Sequence, residues 1–213
     1  MKALPAAPAF LAVLLAGGCA SSPWLTTENV PGGRLYVPKV HAPLLPGSIY
    51  PDRRVLVPAK GRPALILVCP AKGRCRGKEI LDQAAQRGLV VLALKGSSES
   101  STTGDFLRTR TEADPRRIGS LLVSPTGVSL RKWTGAGAPG DAVAVLWPAP
   151  PPATLLPSSP SGKIFLAALF DKEPPEAKDG TVLKLYAPDR NGALPNEAFR
   201  DAVEWLAGEV GAR

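Results

Sequence analysis

Apolar positions along this chain gather into short unbroken runs separated by amphipathic or turn-rich stretches. The runs are ALILVC (64–69), LVVLAL (89–94), IGSLLV (118–123), AVAVLW (142–147), KIFLAALF (163–170) and TVLKLY (181–186). Runs of this length predict strands, and the first two suit strands buried on both faces of a parallel sheet. Between the first two, Ile80, Leu81, Ala84 and Ala85 form one helical stripe, and Gly88 is placed to stop that helix. Strand, helix and strand together are the signature of parallel strands joined by a crossover. A turn over Ser124–Gly127 and a short helical stretch ending near Trp133 follow the third run. A last helix is expected to open near Asn196, a good N-cap residue. Its Phe199, Ala202, Val203 and Leu206 keep the i, i+3, i+4, i+7 spacing of a core-facing stripe. The predicted order β–α–β–β–α–β–β–β–α is an α/β fold, a mostly parallel sheet with flanking helices and no internal repeat.

Composition adds proline to this picture. The chain holds 24 prolines, concentrated between Pro23 and Pro51 and again in PAPPPATLLPSSP (148–160). Proline removes backbone donors and favours stiff, extended chain. The first tract is read as a tether with an irregular entry strand, the second as a surface loop between core elements. Ahead of the tether, Lys2 precedes a small-residue apolar stretch from Ala3 to Leu15, then Ala16-Gly17-Gly18-Cys19. That is the layout of a secretory signal. The stretch is shorter than the ~20 residues that span a bilayer. A cysteine at the cut resembles the lipobox of bacterial lipoproteins, which implies that Cys19 becomes the acylated first residue of the mature protein. The expected organisation is a signal peptide over 1–18, a Pro-rich tether over 19–52 and one domain over 53–213. Small polar residues rather than aspartate follow Cys19, which resembles outer-membrane sorting. The expected location is the bacterial envelope, lipid-anchored on the periplasmic face of the outer membrane.

The net charge of +8 admits anionic lipid, an acidic polymer or an acidic protein partner, beside the plainer reading of a solvated surface. Nucleic acid is excluded as a partner class, since no helix-turn-helix, zinc or aromatic-strand signature is present. One histidine and no CxxC pair give no metal site, and no cofactor is expected. With Cys19 acylated, Cys69 and Cys75 remain, six positions apart. An oxidising compartment permits a bridge between them.

The order of parts from about Val55 to Leu206 resembles a small α/β-hydrolase, closest to the dienelactone-hydrolase-like and acyl-esterase branches. FLRTRTEADPRRIGSLLVSPTG (106–127) carries the most specific likeness, a phrase leading into the strand that delivers the nucleophile. PALILVCPAKG resembles the strand and loop that help form the oxyanion hole, and FLAALFDKEPPE the strand bearing the catalytic acid. LKLYAPDRNGALPNEAFRDAVEWL resembles the last strand, histidine loop and final helix. The resemblance implies a reduced three-layer architecture, with the brief segment from Gly96 to Leu107 as a missing or trimmed crossover.

It also implies a site, and here the residues depart from the family. Ser124 takes the nucleophile position, but Leu122 and Thr126 stand where the elbow has glycines, and their side chains are expected to crowd the turn. Pro125 lacks the N–H that serves as an oxyanion donor. Loss of one such donor typically costs about 10²–10³ in turnover. Asp171 and Glu173 follow the fifth run, and the resemblance implies that one of them takes the acid position. No histidine lies between Tyr186 and Asn196, where the base belongs, and His41 sits far upstream. A serine without a base is a weak nucleophile. Asp189–Gly192 suits a turn. The expectation is therefore a degenerate hydrolase domain acting as a binding or scaffolding module, with Lys72, Arg74 and Arg76 beside Ser124 holding a carboxylate or phosphate. The alternatives are a serine esterase or acyl hydrolase using Ser124 with a non-standard base, and a structural spacer with a basic face.

Overall fold

A computed structural model of the chain describes residues 25–43, 54–71, 75–96, 100–134, 138–140, 142–147, 163–169 and 181–211. Along the chain the elements are β1 (Leu25–Val30), β2 (Gly33–Pro43), β3 (Arg54–Pro58), β4 (Arg62–Cys69), α1 (Gly77–Gln86), β5 (Val90–Lys95), α2 (Ser100–Arg108), β6 (Ala113–Val123), α3 (Gly127–Thr134), β7 (Ala142–Trp147), β8 (Lys163–Leu169), β9 (Thr181–Tyr186) and α4 (Asn196–Glu209). The strands pair in the order β1-β2-β5-β4-β6-β7-β8-β9, with β3 paired to β2. All pairs from β5 to β9 are parallel. The pairs β1–β2, β2–β3 and β2–β5 are antiparallel. The sheet is thus mixed, mostly parallel with an antiparallel flank.

The apolar runs serve both faces at once because side chains alternate along a strand. Leu65 and Leu67 of β4, Val91 of β5, and Leu121 and Val123 of β6 pack under α1 and α4. Ala64, Ile66 and Val68 of β4, Val90 and Leu92 of β5, and Leu122 of β6 pack on the other face, with Leu107 of α2 and Leu130 and Trp133 of α3. Two cores separated by one sheet make the three layers. Gly119 lets α4 lie close on β6, where an added Cβ would stand 3.1 Å from Leu206 and 3.2 Å from Val210.

Three expectations change. Residues 25–43, expected within a tether, are β1 and β2 of the sheet, with Leu25, Leu35 and Val37 buried. Their alternation is short and broken by proline, so apolar-run reading passes over them. The crossover expected to be missing or trimmed is present as a short helix, α2, whose nine residues suffice to connect β5 and β6. Asn196 is the first helical residue of α4 rather than its cap; Pro195 holds that position, without a side-chain cap. Asn196 instead accepts a hydrogen bond from Arg76. Gly88 ends α1 as expected, at φ 67°.

Candidate functional site

Parallel strands place their loops at a common edge, and the C-terminal edge here gathers the ends of β4, β6, β8 and β9. Ser124 stands at this edge, immediately after β6. Its φ is 49°, and its N–H donates to the Leu146 carbonyl of β7 at 2.8 Å. A left-handed conformation at a residue other than glycine costs on the order of 1–3 kcal/mol and persists only where its surroundings impose it. The strand-to-helix turn is therefore strained and held. The Leu130 N–H bonds the Thr126 carbonyl at 2.8 Å, starting α3 directly behind the turn.

The crowding expected from Leu122 and Thr126 does not prevent this geometry. Leu122 is buried in the α2–α3 core, and Thr126 is exposed. Each side chain has been given a place outside the elbow itself. Pro125 is different, because its missing donor is a covalent fact that no packing restores.

On the α1–α4 side of the same edge, Arg76 links two loops. It takes a left-handed φ of 41° at the N-cap of α1. Its Nη2 donates to Asp189 Oδ2 at 2.8 Å, its Nη1 donates to Asn196 Oδ1, and its guanidinium lies 5.4 Å from the Phe199 ring centroid. Asp189 closes a turn: its Oδ1 accepts the N–H groups of Asn191 at 2.8 Å and Ala193 at 2.9 Å. These two backbone donors, from Ala193 and Asn191, with Arg76 beside them, hold the Asp189 carboxyl below the ordinary carboxylate range. Arg76, expected as an anion-holding cation beside Ser124, is thus already engaged. Cys69, at the end of β4, is bonded to Cys75, their Cα atoms 5.4 Å apart, so the residue next to Arg76 is tied to the strand.

At the end of β9, Tyr186 Oη donates to Asp201 Oδ2 at 2.8 Å, and Lys184 pairs with the same carboxylate. Burial, then Asp201, pushes the Tyr186 phenol well above its usual value. It is not a base at neutral pH. Although burial opposes it, Asp201 is held low by Lys184 and Tyr186.

His41 lies at the far edge. It is on β2, five residues beyond Tyr36, which pairs with Val91. Val91 is level with Leu65, and Leu65 with Gly119, five residues before Ser124. At ~3.3 Å per residue, His41 and Ser124 are about 30 Å apart along the strands, at opposite edges of the sheet. The antiparallel run of β2 decides this, a feature invisible in sequence. Cys19, Lys72, Arg74, Asp171 and Glu173 lie outside the described residues. Among the described residues no group of three His, Cys, Asp or Glu side chains could hold a metal ion.

No protein-family model matches the chain, and no curated protein does. Solved structures do. A cold-adapted esterase from an Arctic intertidal metagenomic library is similar over 87% of this chain and 97% of its own, at 12% identity and TM-score 0.52. Est1E from Butyrivibrio proteoclasticus is similar over 89% and 99%, at 10% identity and TM-score 0.53. A 2,6-dihydroxy-pseudo-oxynicotine hydrolase is similar over 85% and 66%, at 11% identity and TM-score 0.51. Strand order, crossover placement and these neighbours agree: the chain has a mixed α/β sheet with flanking helices, in an α/β-hydrolase-like fold.

Proposed function

We propose that this chain is a lipid-anchored envelope protein whose α/β-hydrolase-like domain binds a ligand or partner without Ser–His–Asp chemistry. One observation carries this reading. The loop after β9, where such a site keeps its base, has Asp189 bonded to Arg76, while the chain's one histidine stands at the opposite edge of the sheet. Ser124 then has no imidazole to take its proton, and Pro125 offers no N–H to a developing oxyanion. What remains is a strained serine turn on a rigid sheet edge, suited to holding a ligand rather than turning it over.

A serine esterase or acyl hydrolase using Ser124 with a non-standard base is the second reading. The retained left-handed turn at Ser124 favours it, and so does the likeness to esterases, which points towards a hydrolase rather than a silent scaffold. At 10–12% identity that likeness carries the fold, and the residues of the site carry the choice. Labelling with a fluorophosphonate separates the two. The expected result is no Ser124 adduct in protein shown to be folded. An adduct that disappears in Ser124→Ala would overturn the non-catalytic reading.

A further inference from the structure

The opposite edge of the sheet carries a second feature. Lys60, Arg62, Arg87 and Arg117 converge with Gly61 and Gly211 on a cleft of about 470 Å³. The glycines here take left-handed φ values, 59° at Gly61 and 67° at Gly211, and a Cβ added to either would meet nothing within 4 Å. The cleft is therefore lined by backbone turns that no side chain fills.

Its cations are held in two ways. Arg117 is fixed from three sides: Nε donates to Asp114 Oδ2 at 2.6 Å, Nη2 to the Gly61 carbonyl at 3.0 Å and Nη1 to the Gly211 carbonyl at 3.4 Å. Arg87 donates to Glu204 Oε1 at 2.9 Å. Lys60 and Arg62 have no ion-pair or hydrogen-bond partner for their side chains among the described residues. Arg62 Nη1 would lie 3.9 Å from a Cβ placed on Gly88, in the same wall. Two carboxylates thus face four cations, leaving an excess of two positive charges in one concavity. Arginine forks are matched to tetrahedral oxyanions.

We propose that this cleft binds a phosphate group, either as the headgroup of an anionic phospholipid or as free phosphate. The site is independent of Ser124. The lipid source rests on the acyl anchor proposed for Cys19, and the topology supports it. Leu25 pairs with Pro38, two residues beyond Tyr36, so the chain enters the sheet at this same edge. Leu25 lies six positions after Cys19, a reach of at most about 20 Å. An acylated Cys19 would hold the basic edge near the headgroups.

Calorimetric titration of the full chain with inorganic phosphate at low salt is the first arm. The second is sedimentation with phosphatidylcholine vesicles, with and without phosphatidylglycerol. The expected result is binding to at least one probe that weakens roughly tenfold in Lys60→Ala/Arg62→Ala and fades with added salt. Lys78→Ala/Arg131→Ala removes the same charge elsewhere and should bind as the parent does. Circular dichroism and melting of each variant confirm the fold. Saturable binding of phosphate without a phosphatidylglycerol effect assigns the site to free phosphate, and the converse assigns it to headgroups. Either supports the site. No binding to both probes, or equal losses in both double variants, overturns it.

Discussion

Asp189 shows how much one side chain organises at the C-terminal edge. Its two oxygens serve a turn of its own loop and an arginine 113 residues away. The turn was legible in sequence from Asp189, Asn191 and Gly192, residue types that favour such loops. The arginine was not, because no local pattern encodes a contact between chain segments so far apart. Its folded-state pKa lies below the unfolded value of about 3.9. The stabilisation is therefore fully present above that value and is lost as pH falls through the lower, folded one. Asp114, held low by the Arg116 N–H and Arg117, adds to the same window. The thermal midpoint should accordingly drop as pH falls below about 4. In Asp189→Asn the drop should be shallower and the midpoint at neutral pH lower; melting curves across the acid range check both. A variant with the parent's pH profile would remove Asp189 from this account.

Among elements, β2 does more than its sequence suggests. It joins the N-terminal hairpin to the parallel strands through Gly33–Tyr36 against Val91–Leu94. Gly33 has a specific reason to be glycine: a Cβ there would collide with the Ala93 carbonyl of β5. Gly33→Ala must displace that backbone, at a cost of about 2–3 kcal/mol. Urea unfolding should show this as a lower midpoint, whereas a residue in a mere tether would show no change. The parallel strands β4 to β8 were legible because each carries an apolar run buried on both faces, whereas β9 is an edge strand with Val182 and Leu185 exposed. Both β1 and β2 were not, since their pairing, rather than their composition, makes them strands.

For the molecule as a whole, the antiparallel course of β2 sorts the candidate features to two edges. It sends His41 and the N-terminal entry to one edge and leaves Ser124 at the other. The basic cleft lies with the entry, and the serine turn lies at the opposite edge. A lipid anchor would then present the Ser124 edge outward. Cys19→Ser should abolish incorporation of labelled palmitate in a bacterial host and shift the protein out of the membrane fraction. Palmitate labelling that survives the substitution would remove Cys19 as the anchor.

By itself the sequence determined the fold class, the identity of the parallel strands, and the absence of a histidine from the loop after the last of them. These follow from local burial patterns and from residue types, which tertiary contacts do not alter. Tertiary structure alone decided that Ser124 keeps a left-handed turn without its glycines, because the space given to Leu122 and Thr126 depends on the layers around them. It also decided that Arg76 is bound to Asp189, that His41 is remote from Ser124, and that four cations meet in one cleft. Each is a relation between distant segments, set by strand direction and order.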